Sequence, residues 1–478
     1  MAQAPTHPAG PPRSAEAPST YLPLEGRPPG LVDRFMGAVI RKLAWSRLSN
    51  PKVAMTISGI GLLLGMIDGA TAPNAETLSV RLPLSRFLPP LDHTILLASV
   101  ILYAASILAC LGLAGMLWAH SQGWRPDPRY LLLASAAIVA IMVCLTPVGS
   151  SDQASYAAYG HIAAQGGNPY VTNPAAWAND AYTHAVGTQW KSQSSVYGPF
   201  ATVIQAFAAS IGGANPAMTI WVMMILNGAV FIGVGFLLLK TSDDPVRATL
   251  FWTANPVLIQ QLVSGGHLDT LVAAAAICAI QLARRVQGRG GDVLIGVLIG
   301  FACGIKIYAV LIGIGLAWPL IRRHEWVRPL RIAAAALVTL ALGYTIYGLD
   351  ALKPLFGGLN LVTLPSPWRL FELTGMALGV SQSTLITIIS IGWPIALFFV
   401  AVFLFRRISS DQPPEVVAPF ALTFAWVLVA PWVFAWYTAV AWAALTQVPR
   451  NPMTRWLAIV TVLLALCLSS GGVAALGR

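Results

Sequence analysis

Residues 151–200 read SDQASYAAYGHIAAQGGNPYVTNPAAWANDAYTHAVGTQWKSQSSVYGPF, a polar stretch studded with tyrosine and tryptophan and set between long apolar runs. Connections between packed elements have a median length of about 4–6 residues. An insert of 50 residues is far longer than a linker needs, so chemistry is expected here. The apolar runs on either side decide the fold.

Hydrophobic residues make up 56% of the 478-residue chain and charged residues 10%, with a mean hydropathy of +0.69. That composition excludes a soluble globular domain. Backbone groups in lipid must be satisfied within their own segment, and a span needs about 20 apolar residues, so the spans are expected to be helices. A β-barrel would need alternating polarity, which the sequence lacks. The formal charge of +11 suggests a nucleic-acid partner only until the basic residues are placed. They cluster at the ends of apolar runs, as in Arg284, Arg285 and Arg289, in Arg322, Arg323, Arg328 and Arg331, and in Arg406 and Arg407. This is the positive-inside pattern; it sets topology and implies no nucleic-acid partner. Cys110, Cys144, Cys278, Cys303 and Cys467 stand singly inside apolar segments, which gives neither a disulfide framework nor a zinc site.

Working outward, residues 1–30 are rich in Pro, Ala and Ser and are expected to form a disordered cytoplasmic tail. No signal peptide is read there. Over 31–48, Leu31, Phe35, Met36, Val39, Leu43 and Leu48 recur at helical spacing beside Arg34, Arg41, Lys42 and Arg47. That predicts an interfacial amphipathic helix on the anionic cytoplasmic leaflet. Residues 49–478 are expected to form a single transmembrane domain with an outer catalytic loop at 149–217. The chain thus reads as an all-α polytopic membrane protein of about thirteen spans, with a range of about 11–13. The spans are expected near 53–70, 93–118, 130–148, 218–239, 248–264, 268–284, 292–304, 306–321, 330–348, 381–404, 416–430, 433–447 and 455–472. With the basic N-terminus inside, the basic loops fall inside, and 71–92, 149–217, 265–267 and 349–380 fall outside. The count closes only if the segment after Tyr197 dips in and returns without crossing. Several segments are short, so breaks are expected, with Gly304, Gly313, Pro394 and Pro431 as their sites.

Asp152 follows an apolar run that ends at Val148, which places it at the outer membrane edge. Ser151 or Asp152 can cap a helix that Gly166-Gly167 and Asn168-Pro169 stop. Asp152, Tyr156 and Tyr159 share one face of that helix. The bland role for Asp152 is that cap, worth about 1 kcal/mol; the functional role is a catalytic carboxylate, and the two are compatible. Ser264-Gly265-Gly266-His267-Leu268-Asp269-Thr270 interrupts two apolar segments, so His267 and Asp269 form an ionisable pair at membrane depth, a functional signal by default. The competing role is a tight turn with Asp269 capping the next helix. His267 has no second ligand at metal spacing, so no metal site is read and no cofactor is called for, while an assisting divalent ion is left open. Lys306 and Arg369 each suit either an interfacial or solvated side chain or a ligand for an anionic group such as phosphate. Much of the outer aromatic content belongs to an interfacial belt. The aromatics of the loop also accompany Asn168, Asn173, Asn179 and Gln189, and aromatic faces beside amides suit a carbohydrate.

Taken in order, Asp152, Tyr156, Tyr159-Gly160, Gly167-Asn168-Pro169-Tyr170, Val196-Tyr197-Gly198-Pro199, Asn255-Pro256, Gly265-Gly266-His267-Leu268-Asp269, Gly304-Ile305-Lys306, Pro431-Trp432 and Trp436-Tyr437 carry a resemblance. The chain resembles the polyprenol-phosphate-mannose-dependent α-1,6-mannopyranosyltransferases of actinobacterial envelopes. More loosely it is similar to other C-fold glycosyltransferases, including the first mannosyltransferase of glycosylphosphatidylinositol synthesis. The resemblance spans roughly residues 50–470. Two features depart from it: the first outer loop offers one acidic residue in Ser151-Asp152-Gln153 where many C-fold enzymes carry two, and Leu268 stands where the family favours Asn.

The resemblance implies a C-fold hexosyltransferase in the bacterial cytoplasmic membrane, with its N-terminus inside and its site facing outward. It would move mannose from a polyprenyl-phosphate donor to an α-1,6-mannan or lipid-linked glycan during lipoglycan biosynthesis. A β-linked donor and an α product imply inversion, which needs one general base within about 2.6–3.2 Å of the acceptor hydroxyl. Asp152 is assigned that role, although Asp269 stays open as an alternative base. Lys306, Arg369 and His267 are the candidates for the donor phosphate. Asp269 would orient His267 or bind acceptor hydroxyls, and Tyr156, Tyr159, Asn168, Tyr170 and Tyr197 would shape the sugar and acceptor site. The alternatives are a C-fold transferase for another lipid-linked sugar and a lipid-glycan transporter or flippase. Against transport stands the lack of a visible repeat between the two halves.

Overall fold

Several helices begin where a short polar side chain precedes proline. In the computed structural model, Asn50, Asp127, Asn215, Asp244 and Ser366 each accept a hydrogen bond from a backbone N–H of the following turn, with proline at the first helical position. Proline has no N–H to leave unsatisfied there, and the polar cap takes up one of the others. The structure describes residues 50–467 apart from 73, 75–77, 79, 89–93, 287, 355–361 and 409–411. The expected tail 1–30, the expected interfacial helix 31–48 and the end of the expected span 455–472 lie outside the described residues. Every regular element among the described residues is helical.

The longer helices are α1 (Pro51–Ala70), α2 (Ile95–Ser121), α3 (Pro128–Met142), α4 (Asp152–Ala164), α5 (Pro199–Gly212), α6 (Pro216–Thr241), α7 (Pro245–Phe251) and α8 (Asp269–Arg285). They continue with α9 (Arg289–Cys303), α10 (Val310–Arg322), α11 (Val327–Tyr347), α12 (Pro367–Ala377), α13 (Gln382–Arg407), α14 (Pro414–Val429), α15 (Thr438–Leu445) and α16 (Met453–Cys467). Among the described residues, α1, α2, α6, α11 and α13 are long and apolar enough to cross a membrane. At 1.5 Å per residue the 26-residue α6 and α13 reach about 39 Å, more than the roughly 30 Å hydrocarbon layer. α11 and α13 have only 11% and 17% of their apolar windows buried, against 44% for α2 and α6. They present their apolar surface outward, as lipid-facing helices do.

Several expected spans are not continuous helices. The run 248–264 breaks at Trp252–Asn255 and resumes as a single turn, Pro256–Leu258, followed by a π-helix, Ile259–Ser264. Pro256 cannot extend the preceding helix, and Asn255 caps the new start by accepting from the Val257 and Leu258 N–H groups. The run 433–447 opens as a 3₁₀ turn, Ala435–Tyr437, before α15. Breaks thus occur at Gly304 and after Pro431, as expected, but Gly313 and Pro394 lie inside uninterrupted α10 and α13. The segment after Tyr197 is α5, an apolar helix of 14 residues that spans about 21 Å.

The helix expected after Asp152 at the outer membrane edge is α4, and it is buried. Ala154, Tyr156, Ala157, Ala158, Tyr159 and Ile162 of α4 are all at most 2% exposed. α4 packs along α5 so closely that a Cβ on Gly160 would sit 2.3 Å from the Gln205 carbonyl oxygen. Alanine and glycine on this face permit the contact. The loop is part of the core, and its aspartate enters the protein from that core.

Candidate active site

Asp152 is the first residue of α4, and its carboxylate is not used as a cap: the N-cap is Ser151, which makes no side-chain cap bond. The Asp152 N–H donates to Ser150 Oγ at 3.1 Å. The freed Oδ2 accepts from the Tyr156 hydroxyl at 3.2 Å and faces His267 Nδ1 at 3.5 Å. At that distance the imidazole contact is an electrostatic approach and falls short of a formed hydrogen bond. The Asp152 side chain is 23% exposed, whereas His267 is wholly enclosed. Burial pushes the Asp152 carboxyl up, but the facing imidazole, the Lys306 charge and the Tyr156 hydroxyl outweigh it and hold the group below its ordinary value. Asp152 is therefore ionised at neutral pH.

His267 lies in the turn after the π-helix. That turn is fixed by the Val148 N–H donating to Ser264 O at 3.1 Å, by the His267 N–H donating to Leu262 O at 3.1 Å, and by the Gln153 amide donating to Gly266 O. Its ring stacks on Trp436 at 3.8 Å between centroids, and Trp436 stacks on Phe434 at 4.5 Å. His267 is thus directed at Asp152 from behind and has no open face for a phosphate.

Asp269 is the first residue of α8 and likewise does not cap it, since the N-cap is Leu268. Its two oxygens accept from Lys306 Nζ and from the Tyr308 hydroxyl, both at 2.6 Å, and its side chain is fully buried. Lys306, 9% exposed, sits in the extended break between α9 and α10, with its ammonium 4.7 Å from the Tyr437 ring centre and 5.9 Å from that of Tyr197. Tyr308 stacks on Trp426 at 4.3 Å.

Two of the sequence motifs meet directly. The Gly198 N–H donates to Ile305 O at 3.1 Å and the Phe200 N–H to Gly304 O at 2.8 Å, so Tyr197-Gly198-Pro199 is hydrogen-bonded to Gly304-Ile305-Lys306. A Cβ at position 198 would lie 2.4 Å from the Gly304 carbonyl oxygen, which explains the glycine. Tyr197 in turn packs edge-on against Tyr156 at 4.8 Å. The structure thus gathers Asp152, Tyr156, Tyr197, His267, Asp269 and Lys306 into one cluster.

Other predicted residues hold the loop in place. Asn168 donates to Tyr347 O at 3.0 Å, Tyr170 bonds Thr202 at 2.8 Å, and the Tyr159 hydroxyl donates to Gln193 O at 3.1 Å. Arg369 is engaged elsewhere, at 2.6 Å from Glu372 of its own helix α12. Among the described residues no group of three or more His, Cys, Asp and Glu could hold a metal ion. Sequence reasoning missed Gln153, Tyr308 and Trp426. Gln153 and Tyr308 lie beside residues already singled out; Trp426, inside an apolar helix, carried no signal.

Residues 54–322 match the family described as "Alpha-(1->6)-mannopyranosyltransferase, N-terminal domain". That match includes Asp152, His267, Asp269 and Lys306. The chain is 26% identical over 392 residues to alpha-(1->6)-mannopyranosyltransferase A of Mycobacterium tuberculosis, covering 75% of this chain and 73% of that protein. It is 25% identical over 270 residues to a probable alpha-(1->6)-mannopyranosyltransferase of Mycolicibacterium smegmatis, covering 53% of this chain and 43% of that protein. It is 25% identical over 167 residues to alpha-(1->6)-mannopyranosyltransferase A of Corynebacterium glutamicum, covering 34% of each. No solved structure matches it. With a match over more than half its length, taking in the clustered aspartates, histidine and lysine, the chain belongs to the alpha-(1->6)-mannopyranosyltransferase family.

Proposed function

We propose that this protein is an inverting mannosyltransferase of the C-fold type with about thirteen membrane crossings, broken ones included. It takes mannose from a polyprenyl-phosphate donor and adds it to an α-1,6-mannan or lipid-linked glycan at the outer face of the cytoplasmic membrane. The observation that carries this reading is Asp152: ionised, partly exposed, and backed by an enclosed imidazole at 3.5 Å.

In the reaction, an acceptor hydroxyl oxygen attacks the anomeric carbon as its proton passes to Asp152. The bond from that carbon to the phosphate oxygen breaks, and the phosphate leaves with the electron pair. One displacement inverts the configuration, so no covalent sugar–protein intermediate is needed. Lys306 supplies positive field toward the leaving group, tempered by Asp269 at 2.6 Å. Arg369 is a second phosphate ligand, which reaches the donor only by leaving Glu372. His267 acts through Asp152, steadying its negative charge before transfer. Tyr156 and Tyr197 wall the sugar site, while Tyr159, Asn168 and Tyr170 hold the loop that carries it.

The test is transfer in purified membranes from polyprenyl-phosphate mannose to a short α-1,6-mannoside, comparing wild type with Asp152→Asn. Product from wild type and none from a folded Asp152→Asn supports the reading. Normal transfer by Asp152→Asn moves the base to Asp269. Absence of product from wild type removes this donor.

A further inference from the structure

Asp152 and His267 are far apart in sequence, and neither ring nitrogen of His267 has a formed hydrogen bond to fix it. Their separation therefore depends on how α4 is held against the Gly265-Gly266-His267 turn. One side chain spans that gap. Gln153, adjacent to Asp152, is 1% exposed, and its Nε2 donates to the carbonyl of Gly266, adjacent to His267.

The turn is shaped to receive this amide. Gly266 has φ +70°, in the left-handed region that favours glycine, and a Cβ there would lie 2.3 Å from Gln153 Nε2 and 2.7 Å from Met224 Sδ. A side chain at position 266 is thus excluded by conformation and by contact with Gln153 alike. The same hydrogen bond satisfies a carbonyl that the turn takes out of the helical ladder.

We infer that Gln153 is a positioning residue that fixes the Asp152–His267 separation by splicing α4 to the Gly266 carbonyl. This rests on the assignment of Asp152 as the base. The titratable groups facing Asp152 are His267, Lys306, Tyr156, Tyr159, Tyr197 and Tyr437, with Asp269 behind Lys306. Of these, His267 is carried by the turn that Gln153 holds, so loss of the amide acts first on that pair.

The experiment compares full-length wild type, Gln153→Met and Gln153→Glu in membranes. Methionine keeps the length and removes the donor; glutamate keeps the shape and puts an acceptor against the carbonyl. Transfer from polyprenyl-phosphate mannose to an α-1,6-mannobioside is followed between about pH 2.5 and 8, a window that takes in the lowered carboxylate range of Asp152. For Gln153→Met the expected result is a fall in kcat of roughly tenfold to a hundredfold with KM within about twofold, and an acid limb about half a pH unit or more higher. An acid limb unmoved, with loss that scales with the amount of folded protein, overturns the inference.

A second readout does not need turnover. An imidazolium stacked on indole quenches its fluorescence, so each protein minus its Trp436→Phe counterpart reports His267 as it takes up a proton. A quench whose pH midpoint or amplitude changes in Gln153→Met supports the clamp, and an unchanged quench overturns it. If wild type makes no product from this donor, the proposed function fails while the fluorescence still decides the role of Gln153.

Discussion

Asp152 and Asp269 each stand at the first position of a helix, next to a sharp turn, and face opposite fates. Asp269 is fully enclosed and bound at 2.6 Å by both a lysine and a phenol. Asp152 is 23% exposed and touched more loosely, at 3.2 and 3.5 Å. A carboxylate that must accept a proton needs a free lone pair and a path to substrate; one that must hold a buried ammonium needs neither. This geometry supports the proposed assignment of Asp152 as the base and leaves Asp269 to hold the ammonium.

The sharpest way to break this contrast is Asp152→Asn. A lost general base lowers transfer by about 10²–10⁴-fold per folded protein; measured transfer within a few-fold of wild type would erase the distinction. Next comes Asp269→Ala, which leaves Lys306 buried without its partner. Breaking such a pair costs about 3–5 kcal/mol, to be read as loss of folded protein in a detergent melting curve. Lys306→Met in the same chain is expected to recover much of that loss, separating stability from activity.

A smaller effect sharpens the acid side. Asp152 is held below its ordinary value of about 3.9, so, with Asp152 as the proposed base, activity is expected to persist as pH falls toward that range and to be lost as pH passes through the lowered value. The stability linked to this group has the same sign: it is present at higher pH and lost on acidification. In His267→Gln the acid limb of kcat/KM is expected to move up, toward or past the ordinary carboxylate value, as burial regains its weight. The smallest change is Tyr156→Phe. It removes one hydrogen bond to a charged oxygen, about 1.5–3 kcal/mol at most, and should lower transfer without changing the product.

Sequence made much of this legible, for reasons that can be named. Helical spans followed from apolar length, and the polar insert stood out because nothing apolar hid it. Asp152, His267, Asp269 and Lys306 were visible because ionisable residues are scarce among apolar neighbours. What stayed hidden was pairing across distance. No spacing rule brings Gln153 to Gly266, 113 positions away, or separates the two aspartates by exposure. The burial of α4 was hidden as well, because its alanines and glycine look unremarkable until α5 is packed against them. The expectation that 248–264 forms a continuous span failed at Asn255-Pro256, where cap and proline together override apolar length.

The backbone seam between Gly198–Phe200 and Gly304–Ile305 bears on how the site is held together. Because the polar loop and the lysine-bearing break share main-chain hydrogen bonds, the backbone beside Tyr197 and the backbone beside Lys306 are tied to each other. The two segments are joined through main-chain atoms, so exchanging either side chain leaves the join in place. Tyr197 and Lys306 can therefore be exchanged one at a time, each substitution testing a side chain while sparing the fastening between the segments.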